Sequence, residues 1–219
     1  MKVIDNPHIS NTIKGKEKET IMKIKTFIEG PIQNNNYLIM DEVSKEAILI
    51  DCTSPTDEIM NFVKESGSNL KYILLTHGHF DHVMGVNYHL EKYNIPTFAP
   101  QKDKEIIQNI KDYVPYTSIP QIKEYFDKDK VFTIGNKQIK IIETPGHTSG
   151  SVCFLLNDTL FSGDTMFYHT YGRTDLPTGN EKEIFESIKK LLTLPTKTKV
   201  FPGHGETTSI QEELKTYTR

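Results

Sequence analysis

The chain has 219 residues, 36% of them hydrophobic, and a formal net charge of −3 at pH 7. This length suits one domain. The small net negative charge provides no positively charged surface that would bind nucleic acid. Two cysteines are too few for a disulfide scaffold, and no apolar run reaches the roughly 20 residues that span a bilayer. No leader pattern opens the chain, so we expect a cytoplasmic protein, either a monomer or a homodimer.

The predicted elements alternate along the chain after a polar start. Residues 1–21 are lysine-rich and lack an apolar period, so we expect a flexible arm followed by a single domain over 22–219. Apolar and β-branched runs predict strands over 22–28, 37–40, 46–51, 71–75, 131–134, 138–144, 151–156, 159–162 and 199–201. Apolar residues at helical spacing predict helices over 55–66, 82–93, 101–112, 180–192 and 209–216. Residues 113–130 lack a period, which predicts a loop or short helix near the mouth of the site.

The most informative segment is residues 76–82, Thr-His-Gly-His-Phe-Asp-His, directly after the strand predicted over 71–75. Neutral imidazoles and carboxylates are ligands that first-row divalent metals prefer. In an extended chain His77, His79 and Asp81 would face one point and His82 a neighbouring one, which indicates two metal ions. A solvated loop is the alternative, but three of the 8 histidines fall within six positions.

Three further ligand-type residues end predicted strands, each directly after a glycine: His147, Asp164 and His204. Taken singly, each is an ordinary turn residue. The repetition of strand, glycine and ligand favours a common site, because loops at strand ends are where function tends to lie. With the first segment, the chain offers five His and two Asp, as many as two metals sharing one bridging carboxylate use.

This pattern resembles the metallo-β-lactamase superfamily, whose signature is His-x-His-x-Asp-His followed by isolated His, Asp and His ligands. The resemblance runs from about residue 22 to the C-terminus. It implies an α/β (α+β) fold, a four-layer αββα sandwich with the site at one edge of the two sheets. It also implies two divalent metal ions, zinc first, with iron or manganese as alternatives. The first would be held by His77, His79 and His147, and the second by Asp81, His82 and His204, with Asp164 bridging.

The catalytic candidates that follow from this resemblance are Asp81 and Asp164. His82 occupies a position where true β-lactamases usually depart from the motif, so we do not expect antibiotic hydrolysis. Asp51 aligns with a family aspartate that often supports the ligand loop by accepting a hydrogen bond.

Two segments resemble glyoxalase II-like hydrolases and persulfide dioxygenases: Gly-Asp-Thr-Met-Phe at 163–167 and Gly-Arg-Thr-Asp-Leu-Pro at 172–177. The ending at 202–208 resembles short, single-domain members, which lack the helical domain that supplies basic residues for glutathione. Arg173 either binds a substrate carboxylate or pairs with Asp175 to shape the loop.

Two side chains after the bridging carboxylate are further substrate-contact candidates. They are Tyr168 and His169, with packing within the loop as the alternative role.

The first functional hypothesis is a metal-dependent thioesterase of glyoxalase II type, acting on an S-acyl thiol such as S-lactoylglutathione with a metal-bridging hydroxide. A thiolate, with a parent pKa near ~8.5, leaves without strong acid assistance, and the motifs contain no obvious general acid. One alternative is a mononuclear iron persulfide dioxygenase that uses His77, His147 and Asp164. Others are a lactonase or other ester hydrolase, and a metal-binding protein with an idle site, against which the complete ligand set argues.

Overall fold

The computed structural model describes residues 1–6, 9–10 and 21–217. Two sheets carry all the strands in this part of the chain. The first sheet comprises β1 Lys2–Asp5, β2 Ile9–Ser10, β3 Ile21–Glu29, β4 Asn34–Asp41, β5 Glu46–Ile50, β6 Asn69–Leu74, β7 Thr97–Pro100 and β8 Glu124–Phe126. Its order is β1-β3-β4-β5-β6-β7-β8, and β2 also pairs with β3. The pairs from β1 to β5 are antiparallel and those from β5 to β8 are parallel.

The second sheet is built from the later part of the chain. It comprises β9 Phe132–Ile134, β10 Lys137–Glu143, β11 Val152–Leu156, β12 Thr159–Gly163, β13 Lys199–Pro202 and β14 Thr208–Ser209. The strands lie in the order β14-β13-β12-β11-β10-β9. The β12–β13 pair is parallel, because the chain crosses over through a helix between these strands.

Helices cover the outer face of each sheet. They are α1 Glu58–Glu65, α2 Phe80–Val83, α3 Val86–Tyr93, α4 Lys104–Gln108, α5 Glu181–Leu191 and α6 Ile210–Tyr217, with 3₁₀ turns at Gln101–Asp103 and Ile110–Asp112. None of the helices in the described part of the chain has the length and apolar character that a bilayer crossing requires.

Three hydrophobic clusters separate the four layers. Along β4, Leu38 and Met40 pack towards α1 and α3, whereas Tyr37 and Ile39 point into the space between the sheets. This alternation follows from the two-residue period of a strand. A third cluster joins the second sheet to α5 and α6. The predicted four-layer αββα sandwich is confirmed.

The first five residues differ from the predicted flexible arm. Lys2–Asp5 forms β1, which pairs with residues 25–28 of β3. Backbone pairing holds this strand at the edge of the sheet with its side chains largely exposed, so no apolar period marks it in the sequence. Residues 7–8 and 11–20 of the predicted arm lie outside the described residues.

The strand predictions are close, but five short strands, β1, β2, β7, β8 and β14, were missed and two predicted helices are broken. β7 and β8 are short and mixed in composition, so their sequences carry no strand pattern. The helix predicted over 82–93 is interrupted after Val83, where the backbone N–H of Gly85 donates to the carbonyl of Cys52. The segment 101–112 consists of α4 between two 3₁₀ turns, because the backbone leaves α-helical geometry at Asp103 and at Asn109.

Candidate metal centre

Four loops meet at one end of the sandwich and carry the predicted ligands. The loop after β6 and the start of α2 supplies residues 77–82 from the first sheet. The loops after β10, β12 and β13 supply His147, Asp164 and His204 from the second sheet. The loops approach closely at Gly203, where a Cβ atom would overlap Asp164 Oδ1. The absence of a side chain at this position therefore brings two of the loops together.

The first ligand group consists of His77, His79 and His147, whose ring nitrogens lie within 4.8 Å of one another. His79 Nδ1 is 2.8 Å from His147 Nε2. Two nitrogens at this distance need a proton or a cation between them.

The second group consists of Asp81, His82 and His204, whose ligand atoms also lie within 4.8 Å of one another. Asp164 stands between the two groups. Its Oδ1 is 3.4 Å from His82 Nε2, and its Oδ2 is 3.5 Å from both His147 Nε2 and His204 Nε2. The two carboxylate oxygens thus face ligands of both groups, as a bridging carboxylate must.

Asp51 orients two of the imidazoles from behind. His82 Nδ1–H donates to Asp51 Oδ2 at 2.9 Å. The Thr76 hydroxyl donates to the same carboxylate and lies 3.0 Å from His77 Nδ1, from which it can accept. Since the outer nitrogens carry the protons, His77 Nε2 and His82 Nε2 present lone pairs to the centre.

Backbone carbonyls orient two more rings in the same way. His147 Nδ1–H donates to the carbonyl of Arg173 at 2.7 Å, and His204 Nδ1–H donates to that of Ile32 at 3.1 Å. Each of these histidines therefore also directs Nε2 towards Asp164.

Three of the inward atoms lack a hydrogen-bond partner within the described protein. His77 Nε2, His82 Nε2 and Asp164 Oδ1 are buried without a hydrogen bond from any described residue. Buried polar atoms are almost always satisfied, so three orphans that face one another point to a missing cation. The donor set of imidazole nitrogen and carboxylate oxygen fits zinc, iron or manganese.

The charge balance also favours a cation. Burial holds the pKa of the His77 imidazole well below its usual value and lowers that of His79 to about 4, with neighbouring imidazoles adding to the effect. Burial opposes ionisation of Asp164, but the surrounding imidazoles of His82, His147 and His204 together outweigh it and lower the carboxyl pKa. Burial opposes protonation of His82 and His204, but the facing carboxylates outweigh it and raise the pKa of both rings, so a metal ion would have to displace their protons. Neutral imidazoles and ionised carboxylates are the forms that bind metal.

The position of Asp81 differs from the extended arrangement predicted for residues 77–81. Only the stretch up to His79 is extended, and α2 begins at Phe80. The helical turn carries Asp81 to His82 and His204, and His147 completes the group of His77 and His79, which is the grouping that the family resemblance implied.

The sequence profile of the Metallo-beta-lactamase superfamily matches residues 30–204. The chain belongs to this superfamily. The probable metallo-hydrolase YqgX of Bacillus subtilis is 33% identical over 202 residues, which are 88% of this chain and 94% of that protein. Hydroxyacylglutathione hydrolase GloC of Haemophilus influenzae is 28% identical, over 89% of this chain and 96% of that protein.

Two solved structures of the superfamily are similar to this chain. The crystal structure of BLEG-1 B3 metallo-beta-lactamase has a TM-score of 0.80 and 32% identity, over 88% of this chain and 96% of its own. TTHA1623 in a di-iron-bound form has a TM-score of 0.78 and 30% identity, over 87% of this chain and 97% of its own. The predicted resemblance to a glyoxalase II-like metallo-β-lactamase superfamily protein is confirmed.

The candidate metal centre opens into a cavity of about 570 Å³. The residues that line this cavity include His79, Asp81, His147, Asp164 and His204. Arg173 also lines the cavity, and its Nε and Nη2 donate to the two oxygens of Asp175 at 2.7 Å each. The pairing predicted as one of its two roles is therefore present.

The other two predicted substrate contacts do not line this cavity. His169 lies beside α6, where its backbone N–H donates to Glu213 and its ring nitrogen is 3.2 Å from Glu212. Tyr168 is exposed and stacks on the His169 ring. For these two residues the structure favours the alternative role, packing in the loop.

Sequence reasoning missed Asp103, which is fully buried next to the loops that carry the candidate metal ligands. Its Oδ2 accepts from the Gly78 N–H and the Thr148 hydroxyl, and its Oδ1 accepts from the Gly150 N–H, each at 2.8 Å. Asp103 thereby ties the loop of His79 to the loop of His147. Asp103 was missed because it lies within the helix predicted over 101–112, where an acidic residue is common and gives no sign of a special role.

A run of three buried amides, Asn34, Asn35 and Asn36, was also missed. Asn34 Nδ2 donates to Asp81 Oδ2 at 2.8 Å, and Asn35 Nδ2 donates to the carbonyls of Pro202 and Gly205. Three adjacent asparagines at the start of an apolar strand were the signal that could have identified them.

Proposed function

We propose that this chain is a metal-dependent thioester hydrolase of the glyoxalase II type, which cleaves an S-acyl thiol. One observation carries the proposal: five imidazoles and two carboxylates converge beside the cavity, and three of their inward atoms, on His77, His82 and Asp164, have no hydrogen-bond partner among the described residues.

Under this proposal His77, His79 and His147 hold one divalent cation, and Asp81, His82 and His204 hold the other. Asp164 faces both groups, within 3.5 Å of His147 and His204. When bound, such a pair supplies a water of lowered pKa and a Lewis acid for the substrate carbonyl. Asp51 keeps the proton of His82 on the side away from the substrate.

The choice of thioester rests on the leaving group. Hydrolysis forms a C–O bond to the acyl carbon and breaks its C–S bond, and the electron pair departs on sulfur. Among the described residues that line the cavity, only Tyr113 and Arg173 carry ionisable groups besides the proposed ligands. A thiolate needs no general acid, whereas an alkoxide leaving group does, so the scarcity of proton donors favours a thioester.

The relatives support the same reaction class. A hydroxyacylglutathione hydrolase and a probable metallo-hydrolase both match this chain over nearly their whole length. The imidazole-rich donor set favours zinc, and the di-iron-bound form of TTHA1623 supports iron as the alternative.

The decisive experiment pairs elemental analysis with a substrate panel. Protein loaded with zinc, iron or manganese is assayed under argon against thioesters, a lactone and a β-lactam. We expect thioester cleavage with about two metal ions per chain. Asp164→Ala should lose metal and at least about 100-fold in kcat/KM, whereas Asp129→Ala, at an exposed carboxylate, should behave as the parent protein.

Two outcomes would overturn the proposal. One is full metal content and turnover in Asp164→Ala. The other is oxygen consumption with glutathione persulfide and no cleavage of any thioester, which would identify a dioxygenase.

A further inference from the structure

The cavity above the proposed ligands has mainly apolar walls. Ile32, Phe80 and Tyr113 line it although they are 51%, 39% and 46% exposed. Ile106 and Ile110 line it from α4 and the following 3₁₀ turn. Apolar surface that gathers around a concave site, instead of scattering over the protein, marks a place where a ligand buries hydrocarbon.

The cavity offers little to an anionic ligand. Arg173 is the only cationic Lys or Arg side chain among the described residues that line it, and the bidentate pair with Asp175 occupies that guanidinium. Leu176 and Pro177 follow on the same loop and add further apolar lining. Apart from the proposed metal ions, which the scissile carbonyl would engage, a peptide thiol with two carboxylates would therefore find one cationic group, already paired with a neighbouring carboxylate.

From these walls and this charge balance we infer that the substrate carries an uncharged hydrocarbon chain, which packs against Phe80, Tyr113 and Leu176. The inference rests on the proposed thioester hydrolysis and specifies its substrate class. The hydrocarbon chain could belong to the acyl group or to the thiol. Both groups extend from the scissile C–S bond, so either one could pack against these apolar walls.

The test varies each side of the bond separately. One series joins acetyl, butanoyl, hexanoyl and octanoyl groups to the neutral thiol N-acetylcysteamine, and the other joins acetyl to ethanethiol, butanethiol and hexanethiol. We expect kcat/KM to rise about threefold to fourfold for each buried methylene in one of the series, as the burial of hydrocarbon requires. S-lactoylglutathione should be cleaved more slowly than the longest chain of that series.

A matched pair of variants checks where the chain lies. Tyr113→Ser removes a ring from the cavity lining. The ratio of kcat/KM for the longest chain to kcat/KM for the shortest should fall at least about fivefold in this variant. Tyr116→Ser removes a fully exposed ring three residues away, outside the lining, and should leave the dependence unchanged.

Binding provides a readout that does not need turnover. S-alkyl thioethers of N-acetylcysteamine are titrated calorimetrically into the metal-loaded protein. If no thioester is cleaved but affinity rises with chain length, the proposed reaction fails and the apolar ligand class stands. If thioesters are cleaved and neither rate nor affinity depends on chain length, or S-lactoylglutathione is the fastest substrate, the inference is overturned and the proposed reaction stands.

Discussion

One buried carboxylate, Asp103, couples the two loops that carry His79 and His147. Three donors from these loops converge on its two oxygens. Burial raises the pKa of Asp103, and the three hydrogen bonds counteract that rise because they favour its ionised form. The geometry of the first ligand group thus depends on a residue that itself binds no metal.

We expect Asp103→Asn to weaken the first metal site. The amide keeps one acceptor oxygen and turns an NH₂ group towards a donor, so at least one hydrogen bond to a charged group is lost. The free energy of unfolding should fall by about 1.5–3 kcal/mol, and metal affinity by about 10–100-fold. Chemical denaturation and metal titration measure the two effects. Asp112→Asn, at an exposed site nearby, is the control, and unchanged metal affinity in Asp103→Asn would refute the coupling.

The structure brings the proposed ligands together, and the sequence could point to them because their signal is local: ligand types in one short motif or directly after a strand and a glycine. The supporting residues were not, since Asp103 and Asn34 act on segments 25 and 47 positions away in the sequence. The extended geometry expected for residues 77–81 was wrong because a strand period was carried into α2, whereas the family resemblance grouped Asp81 with His82 and His204 as the structure does.

Helix α5 supports the loop that carries His147. Asn180 caps the helix by accepting from the Glu183 N–H, and its own N–H donates to the carbonyl of Gly146. Gly146 has a φ of +136°, and a Cβ atom there would overlap the backbone of Ile184. The helix and the ligand loop therefore fit together only when position 146 has no side chain.

We expect Gly146→Ala to lower the free energy of unfolding by about 3 kcal/mol or more, because overpacking adds to the unfavourable φ. Gly67→Ala is the matched control. Gly67 has a φ of +65°, but the space that an alanine methyl group would occupy there is open to a distance of 4 Å, so this substitution should cost only about 1–2 kcal/mol. Urea denaturation compares the two variants, and equal losses would show that packing against α5 contributes nothing.

Elements with a strong apolar period, such as β4 and α5, were predicted within a few residues. Several short strands were not, since β7, β8 and β14 owe their conformation to pairing with other strands and carry no strand pattern of their own. The four-layer arrangement followed from the family resemblance, and the three hydrophobic clusters provide its physical cause.

Bound metal should stabilise the whole sandwich, since the site joins loops from both sheets. At a free metal concentration of 100 times Kd, binding adds about 2.7 kcal/mol to the free energy of unfolding. For a chain of this size that corresponds to a rise of about 5–10 °C in Tm. Calorimetry of chelator-treated and zinc-reloaded protein measures the shift.

A variant pair tests whether this stabilisation arises at the proposed ligands. His204→Ala should keep only part of the shift, and His169→Ala, at an exposed histidine outside the cluster, should keep all of it. An identical Tm for the chelated and the loaded protein would contradict a role of the metals in stability.

The two sheets divide the chain almost cleanly: β1–β8 end at Phe126 and β9–β14 begin at Phe132. The first half carries four of the seven proposed ligands and the second half carries three, so neither half alone can assemble the proposed two-cation centre. Catalytic turnover would therefore require the two halves to be packed against each other. A pair of fragments cut between these residues would form a natural complementation system, in which activity appears only on reassembly.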